Sequence, residues 1–145
     1  MMVGGVSQSV LSIYTDGGSR GNPGAAATGV VFYIDGAEVL RQGRYLGIQT
    51  NNFAEYQAFL DSLLEYLAQK ETWRVAEIRW FLDSKLVVEQ LNGVWRVKEL
   101  ALKGLWQECK NLLTKVKIPY TISHVPRENN VIADSIVNQT LDEVA

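Results

Sequence analysis

The sequence predicts an α/β domain on a mixed five-stranded sheet, with strands 1–3 antiparallel, strands 4 and 5 parallel to strand 1, and helices on both faces. Turn signals divide the first 50 residues into three strand-like segments, and helix-like and strand-like segments alternate after them. The chain has 145 residues, of which 47% are apolar, which suffices for one core. We therefore expect a single domain over residues 9–145 after a flexible leader at residues 1–8.

The first block consists of three consecutive antiparallel strands. Strand 1 is predicted to end at Asp16, before Gly17-Gly18, and residues 19–24 (SRGNPG) are predicted to lack regular structure. Asp35-Gly36 is typical of a two-residue hairpin turn. The predicted strands are residues 11–16, 25–34 and 38–47.

The second block begins where the apolar spacing becomes helical. A strand–helix–strand connection is almost always a right-handed crossover, so strands 4 and 5 should run parallel to strand 1. The predicted elements, in order, are a helix at 52–69, a strand at 75–82, helices at 84–91 and 100–116, a strand at 118–124 and a last helix that begins near residue 131.

The composition excludes several classes of protein. No apolar run approaches the roughly 20 residues that a membrane-spanning helix needs. The single cysteine, Cys109, excludes an internal disulfide, and the single histidine, His124, excludes a multi-histidine metal site. The net charge of -2 argues against a simple basic coat for nucleic acid. We expect a cytoplasmic protein without a membrane partner, in which any metal has oxygen ligands.

Four acidic side chains fall at the ends of predicted elements. Asp16 ends strand 1, Asp83 ends strand 4, and Glu55 and Asp134 lie in the first turns of two helices. Because functional groups gather at the carboxyl ends of parallel strands, these acids are expected to converge. Two like charges 4 Å apart repel by about 4 kcal/mol at an effective dielectric constant of 20. Bound divalent cations would neutralise this repulsion, so the cluster predicts a metal site.

Oxygen ligands suit Mg²⁺ or Mn²⁺, and two such ions suit an in-line displacement at phosphorus. Each acid also has a structural explanation. Asp16 can belong to a turn, Glu55 to a capping box that begins at Asn52, and Asp83 can be a helix N-cap. Asp134 can interact favourably with a helix dipole. The functional interpretation therefore rests on the four residues together.

Four motifs, in order along the chain, resemble those of type 1 ribonuclease H. They are residues 13–24 (IYTDGGSRGNPG), Thr50-Asn51-Asn52 with Ala54-Glu55, Leu82-Asp83-Ser84 with Leu91-Asn92-Gly93, and residues 124–130 (HVPRENN) with Ala133-Asp134. Many bacterial members insert a basic protrusion after the third motif, where this chain has only residues 94–98 (VWRVK). It therefore resembles the compact, archaeal-like branch.

The resemblance implies a ribonuclease H-like fold and a catalytic domain over residues 9–145. It implies an endonuclease that hydrolyses the RNA strand of RNA–DNA hybrids, leaving 5′-phosphate and 3′-hydroxyl ends. The compactness of the predicted fold favours a monomer. By resemblance, Asp16, Glu55, Asp83 and Asp134 are catalytic carboxylates that bind two Mg²⁺ or Mn²⁺ ions. His124 corresponds to an auxiliary histidine that assists proton transfer or product departure.

Hybrid binding requires recognition of 2′-hydroxyls in a wide minor groove. Glycines allow close backbone approach, and helix starts favour phosphate. The expected contacts are Gly17, Gly18, Thr50, Asn51, Asn52, Trp95, Lys98 and Arg127. Capping, core packing and solvated charge are the structural alternatives for these residues. Two other functions remain open, a nuclease of the same fold that acts on DNA and a non-catalytic module that binds hybrids.

Overall fold

The computed structural model describes residues 2–3 and 6–145, with side chains from residue 8 onward. The side chains of the predicted leader, residues 1–8, lie outside the described residues except at Gln8. For this segment the structure gives the backbone pairing of Met2–Val3 with Val6–Ser7. No helix in the described part of the chain is both long and apolar enough to cross a membrane.

The main sheet of the described residues has five strands in the order β3-β2-β1-β4-β5. The strands are β1 (Val10–Arg20), β2 (Gly24–Ile34), β3 (Ala37–Gln49), β4 (Glu77–Leu82) and β5 (Tyr120–His124). The helices are α1 (Asn51–Trp73), α2 (Lys85–Leu91), α3 (Leu100–Leu113) and α4 (Val131–Val144), and a short 3₁₀ turn at Arg127–Asn129 precedes α4. β1 to β3 are antiparallel, whereas β4 and β5 run parallel to β1. The predicted fold class is confirmed.

Two buried clusters show that helices cover both faces of the sheet. On one face, Ile13 and Phe32 of the sheet pack in a large core with residues of α1, α2 and α3. On the other face, Ala27 packs against Val137 and Leu141 of α4. Because strand side chains alternate between faces, neighbouring residues of β2 contribute to opposite cores. The sheet is therefore held from both sides.

The predicted end of strand 1 at Asp16 is wrong. β1 continues to Arg20, which pairs with Ala25 of β2, so only residues 21–23 of the SRGNPG segment form a turn. The parallel ladder between β1 and β4 nevertheless ends at the pair Thr15–Leu82. Asp16 and Asp83 are thus the first residues beyond that ladder, and the strand order brings them to the same edge.

The capping roles that were the structural alternatives for Glu55 and Asp83 are not observed. Thr50 is the N-cap of α1, and its side chain accepts a hydrogen bond from the Phe53 N–H at 3.2 Å. Glu55 therefore lies beyond the first turn and does not form a capping box with Asn52. Ser84, rather than Asp83, caps α2. The carboxylates of Glu55 and Asp83 are consequently free of these structural roles.

Gly29 of β2 lies directly under α4, and its replacement tests that packing. A Cβ atom at Gly29 would come within 2.2 Å of the Ala133 carbonyl oxygen. Gly29→Ala should lower the free energy of unfolding by at least about 1–3 kcal/mol, because α4 must move. A Cβ atom at Gly104, which is exposed on α3, would meet nothing within 4 Å. Gly104→Ala should therefore raise the free energy of unfolding by about 1 kcal/mol. Urea denaturation distinguishes the two, and wild-type stability of Gly29→Ala would contradict the packing.

Candidate metal centre and active site

Three of the predicted acids converge at the edge of the sheet. Asp16 of β1, Glu55 of α1 and Asp83 after β4 each offer one carboxylate oxygen, and these oxygens all lie within 4.8 Å of one another. Asp16 is only 6% exposed. The Gly17 N–H donates a hydrogen bond to Glu55 Oε1, which fixes the Glu55 side chain. Residues far apart in sequence therefore form one carboxylate cluster.

The absence of a side chain at Gly17 allows this convergence. A Cβ atom at Gly17 would lie 2.1 Å from the Ala54 carbonyl oxygen, so only glycine permits α1 to pack this closely on β1. That approach brings Glu55 to Asp16. Gly17 is itself buried, whereas Gly18 is partly exposed and leaves ordinary space toward Val137. The predicted substrate contact at Gly17 thus coincides with a packing requirement.

Asp134 lies beside this cluster, on the side of Asp16. It is in the first turn of α4, and its carboxylate oxygen accepts a hydrogen bond from Asn138 Nδ2 at 3.4 Å. Asp134 and Asp16 line a common polar groove of about 190 Å³ together with Arg127 and Asn51. Of the four predicted carboxylates, three therefore lie close to one another, and the fourth, that of Asp134, lies beside Asp16.

The electrostatics of the cluster favour a cation. Burial raises the pKa of Asp16 to about 8, with further contributions from Asp83 and Asp134. Burial and the charges of Asp16 and Asp83 also raise the pKa of Glu55 well above its usual value. The ion pairs between side chains of the described residues lie elsewhere, at Arg20–Asp142, Arg41–Glu38, Arg44–Asp61 and Arg79–Glu77. An all-oxygen donor set of this charge fits a hard divalent cation such as Mg²⁺ or Mn²⁺.

His124 lies at the same edge of the sheet. It is exposed at the end of β5 and pairs with Leu82, the residue that precedes Asp83. Asn130 also contacts this edge, since its side chain donates hydrogen bonds to Thr15 and Asp83. Asn130 was not predicted as a site residue. Its place in the fourth motif, between His124 and Asp134, was the only signal in the sequence.

Of the predicted residues at the start of α1, Asn51 lines the groove. Asn51 Oδ1 accepts hydrogen bonds from the Ser19 N–H at 2.9 Å and from the Ser19 hydroxyl at 3.1 Å. The Asn51 N–H donates to Asn22 Oδ1 at 3.0 Å. These bonds tie Asn51, between Thr50 and Asn52 at the beginning of α1, to the end of β1 and to the turn that follows it. The contacts are structural and leave the substrate role of this segment as a prediction.

Trp95 and Lys98 lie in a separate surface region after α2. A cavity of about 440 Å³ is lined there by Trp95, Lys98 and residues around them. Trp95 is 43% exposed, and Lys85 Nζ lies 6.0 Å from its ring centroid, so Trp95 is not a core tryptophan. The buried Gln90 accepts a hydrogen bond from the Tyr56 hydroxyl and donates one to the Arg96 carbonyl. These hydrogen bonds anchor the loop that carries Trp95 and Arg96 to Tyr56 of α1, which follows Glu55 in the sequence.

The sheet order and the carboxylate centre define a protein of the ribonuclease H-like class. A family model described as Reverse transcriptase-like matches residues 14–140. The Ribonuclease HI of Halobacterium salinarum is 39% identical over 131 residues, which cover 90% of this chain and 63% of that protein. The chain belongs to the ribonuclease H family, as its motifs predicted, and it spans less than two thirds of the length of that relative.

Solved structures agree with this assignment. The structure of LC11-RNase H1 in complex with an RNA/DNA hybrid has a TM-score of 0.87 and 36% identity, covering 92% of this chain and 98% of that chain. The structure of RNase H1 from Halobacterium salinarum has a TM-score of 0.83 and 37% identity, with the same coverage of 92% and 98%. Similarity to an archaeal member accords with the resemblance to the compact branch.

Proposed function

We propose that this protein is an endonuclease that hydrolyses the RNA strand of RNA–DNA hybrids and leaves 5′-phosphate and 3′-hydroxyl ends. The observation that carries the proposal is the convergence of Asp16, Glu55 and Asp83 within 4.8 Å. Such a cluster suits metal-assisted hydrolysis at phosphorus, which requires no protein nucleophile. The hybrid bound to the similar LC11-RNase H1 supports the choice of substrate.

Two divalent cations, Mg²⁺ or Mn²⁺, fit the proposal. Asp16, Glu55 and Asp83 would hold one ion, and Asp16 and Asp134 would hold the second, with Asp16 shared between them. When bound, the ions supply positive charge at the scissile phosphate and activate the attacking water. The chain supplies the negative charge and the fixed geometry. Burial of Asp16 keeps bulk water from competing for its carboxylate.

His124 is proposed as an auxiliary residue at the edge of the site. In hydrolysis the attacking water loses a proton as its oxygen forms a bond to phosphorus, the bond from phosphorus to the 3′-oxygen breaks, and the 3′-oxygen gains a proton. His124 is exposed, and in the sheet it pairs with Leu82, the residue before Asp83. Its imidazole therefore suits either that proton transfer or departure of the product. Its loss should slow the reaction without abolishing it.

Hybrid binding is proposed to use two surfaces. One is the polar groove beside Asp16 and Asp134, which is lined by Gly18, Asn51 and Arg127. Thr50 and Asn52, on either side of Asn51 in the sequence, are proposed to extend this surface. The other is the region of Trp95 and Lys98, where an exposed indole and a cation can contact sugar and phosphate of the DNA strand.

Lys98→Ala tests the second surface. If Lys98 contacts a phosphate, hybrid binding should weaken, and the slope of log affinity against log salt should fall by about one. Fluorescence anisotropy with a labelled hybrid at several salt concentrations measures both. Lys70→Ala, in the last turn of α1 at the end opposite Glu55, is the matched control and should behave as wild type. An unchanged salt slope for Lys98→Ala would exclude the contact.

The proposed activity is tested directly with a labelled RNA–DNA hybrid and Mg²⁺. The expected result is cleavage within the RNA strand, with a terminal 3′-hydroxyl that a polymerase can extend. Duplex DNA of the same sequence is the control. Equal or faster cutting of that duplex would favour the DNA-acting nuclease, and binding without cleavage in both Mg²⁺ and Mn²⁺ would favour the non-catalytic module. The cytoplasmic location and the monomeric state stay predictions.

A further inference from the structure

Asn130 joins three parts of the candidate site through one buried amide. It is 1% exposed and immediately precedes α4. Its Nδ2 donates a hydrogen bond to the Thr15 carbonyl oxygen at 2.9 Å and a second to Asp83 Oδ2 at 3.3 Å. Thr15 precedes Asp16 and ends the parallel ladder with β4. The amide therefore spans the place where β1 and β4 stop pairing and the carboxylates begin.

The acceptors fix the orientation of this amide. A carbonyl and a carboxylate both require a donor, so Nδ2 must face them, and both of its N–H groups are used. Asn130 Oδ1 is then buried without a hydrogen-bond partner among the described residues. Buried acceptors are normally satisfied, so an exception calls for an explanation. Asn130 occupies the N-cap position of α4, but its side chain makes no capping hydrogen bond.

The hydrogen bond to Asp83 supplies that explanation. Asp83 lies within 4.8 Å of the Asp16 and Glu55 carboxylates, whose charges repel its own. A neutral donor can hold the Asp83 carboxylate in place beside these neighbours without adding a cation that would compete with a bound metal. The same residue immediately precedes the helix that carries Asp134, and the Asp134 N–H donates to the Asn130 carbonyl at 3.1 Å.

We infer that Asn130 is a positioning residue that orients the Asp83 carboxylate for binding a divalent cation and fixes the start of α4 relative to Asp16. This inference rests on the proposed function for its role in catalysis, but its effect on metal binding can be measured without substrate. Hydrogen-bonding partners of metal ligands typically contribute 10–100-fold to metal affinity or activity.

The test is a calorimetric titration of the whole protein with Mn²⁺ in the absence of nucleic acid. Asn130→Ala is expected to weaken Mn²⁺ binding by about tenfold or more. In hybrid cleavage, the Mg²⁺ concentration for half-maximal rate should rise by a similar factor, and the KM for hybrid should stay near the wild-type value. Asn130→Ser, which is too short to span Thr15 and Asp83 together, should change metal binding in the same direction and serves if the alanine variant does not fold.

Two control variants separate positioning from a general loss of stability. Leu113→Ala removes a buried side chain at the far end of α3, so it should lower the melting temperature and leave Mn²⁺ affinity unchanged. Asn129→Ala changes the exposed neighbouring asparagine and should alter neither quantity. Mn²⁺ affinity within twofold of wild type in a folded Asn130 variant would overturn the inference. Failure of the wild-type protein to cleave hybrids, with the metal effect intact, would overturn the proposed function alone.

Discussion

Asp16→Asn is expected to reduce cleavage of an RNA–DNA hybrid in Mg²⁺ by at least about a hundredfold to a thousandfold. Asp16 is the most buried of the clustered acids, and it lies between Glu55 and Asp83 on one side and Asp134 on the other. Removing its charge affects every cation bound in the cluster, whereas the amide keeps its size. Losses of this order follow when one preorganised stabilising group is removed from an active site. Single-turnover cleavage of a labelled hybrid measures the rate.

The matched control is Glu108→Gln, which neutralises one exposed carboxylate on α3 away from the cluster. It should cleave at the wild-type rate. Hybrid binding by Asp16→Asn, followed by fluorescence anisotropy, should persist because Trp95 and Lys98 are unchanged. A rate for Asp16→Asn within a few fold of wild type, with the control also active, would remove Asp16 from the catalytic site.

The second large effect concerns the stability of the metal-free protein as a function of pH. In the folded state the pKa of Asp16 is raised from 3.8 to about 8, first by burial and then by Asp83. The folded state therefore binds this proton more tightly than the unfolded state does. The stability that the proton contributes is fully present below pH 3.8 and is lost as pH rises through about 8. Asp16→Asn should consequently be more stable than wild type at pH 9, by on the order of a few kcal/mol.

Thermal unfolding in EDTA between pH 4 and 9 measures this difference. The melting temperatures of the wild type and of Asp16→Asn should approach each other toward pH 4 and separate as pH rises. Adding Mg²⁺ at pH 9 should stabilise the wild type, by about 2.7 kcal/mol at a hundred times its dissociation constant. The same addition should affect Asp16→Asn much less. A variant less stable than wild type at pH 9 in EDTA would mean that Asp16 carries no uncompensated charge.

Local sequence was sufficient where local geometry decides the structure. Asp35 and Gly36 both have positive φ angles, 49° and 86°, as the two-residue hairpin predicted from Asp-Gly requires. The parallel direction of β4 and β5 followed from the crossover rule, and the strand order of the structure then places Asp16 and Asp83 at one edge. The predicted end of β1 was wrong because β1 pairs with β2 beyond the last residue that it pairs with β4. Asp16 still pairs with Gly29 of β2.

Other features of the site depend on contacts that one sequence does not contain. Thr50 and Asn52 are both acceptable helix caps, but Asn51, hydrogen-bonded to Ser19 and Asn22, already lies within α1, so the cap is Thr50. Asn130 reaches Thr15 across 115 residues of sequence. Asp134 adjoins the other acids only through Asp16. These features were settled by the packing of α1 and α4 on the sheet.

A crystal structure of the protein soaked in Mn²⁺, with anomalous diffraction, tests the central claim most directly. We expect an anomalous peak among the carboxylate oxygens of Asp16, Glu55 and Asp83, and a second peak between Asp16 and Asp134. Carboxylates that point apart, or an empty cluster at a Mn²⁺ concentration that supports cleavage, would contradict the account.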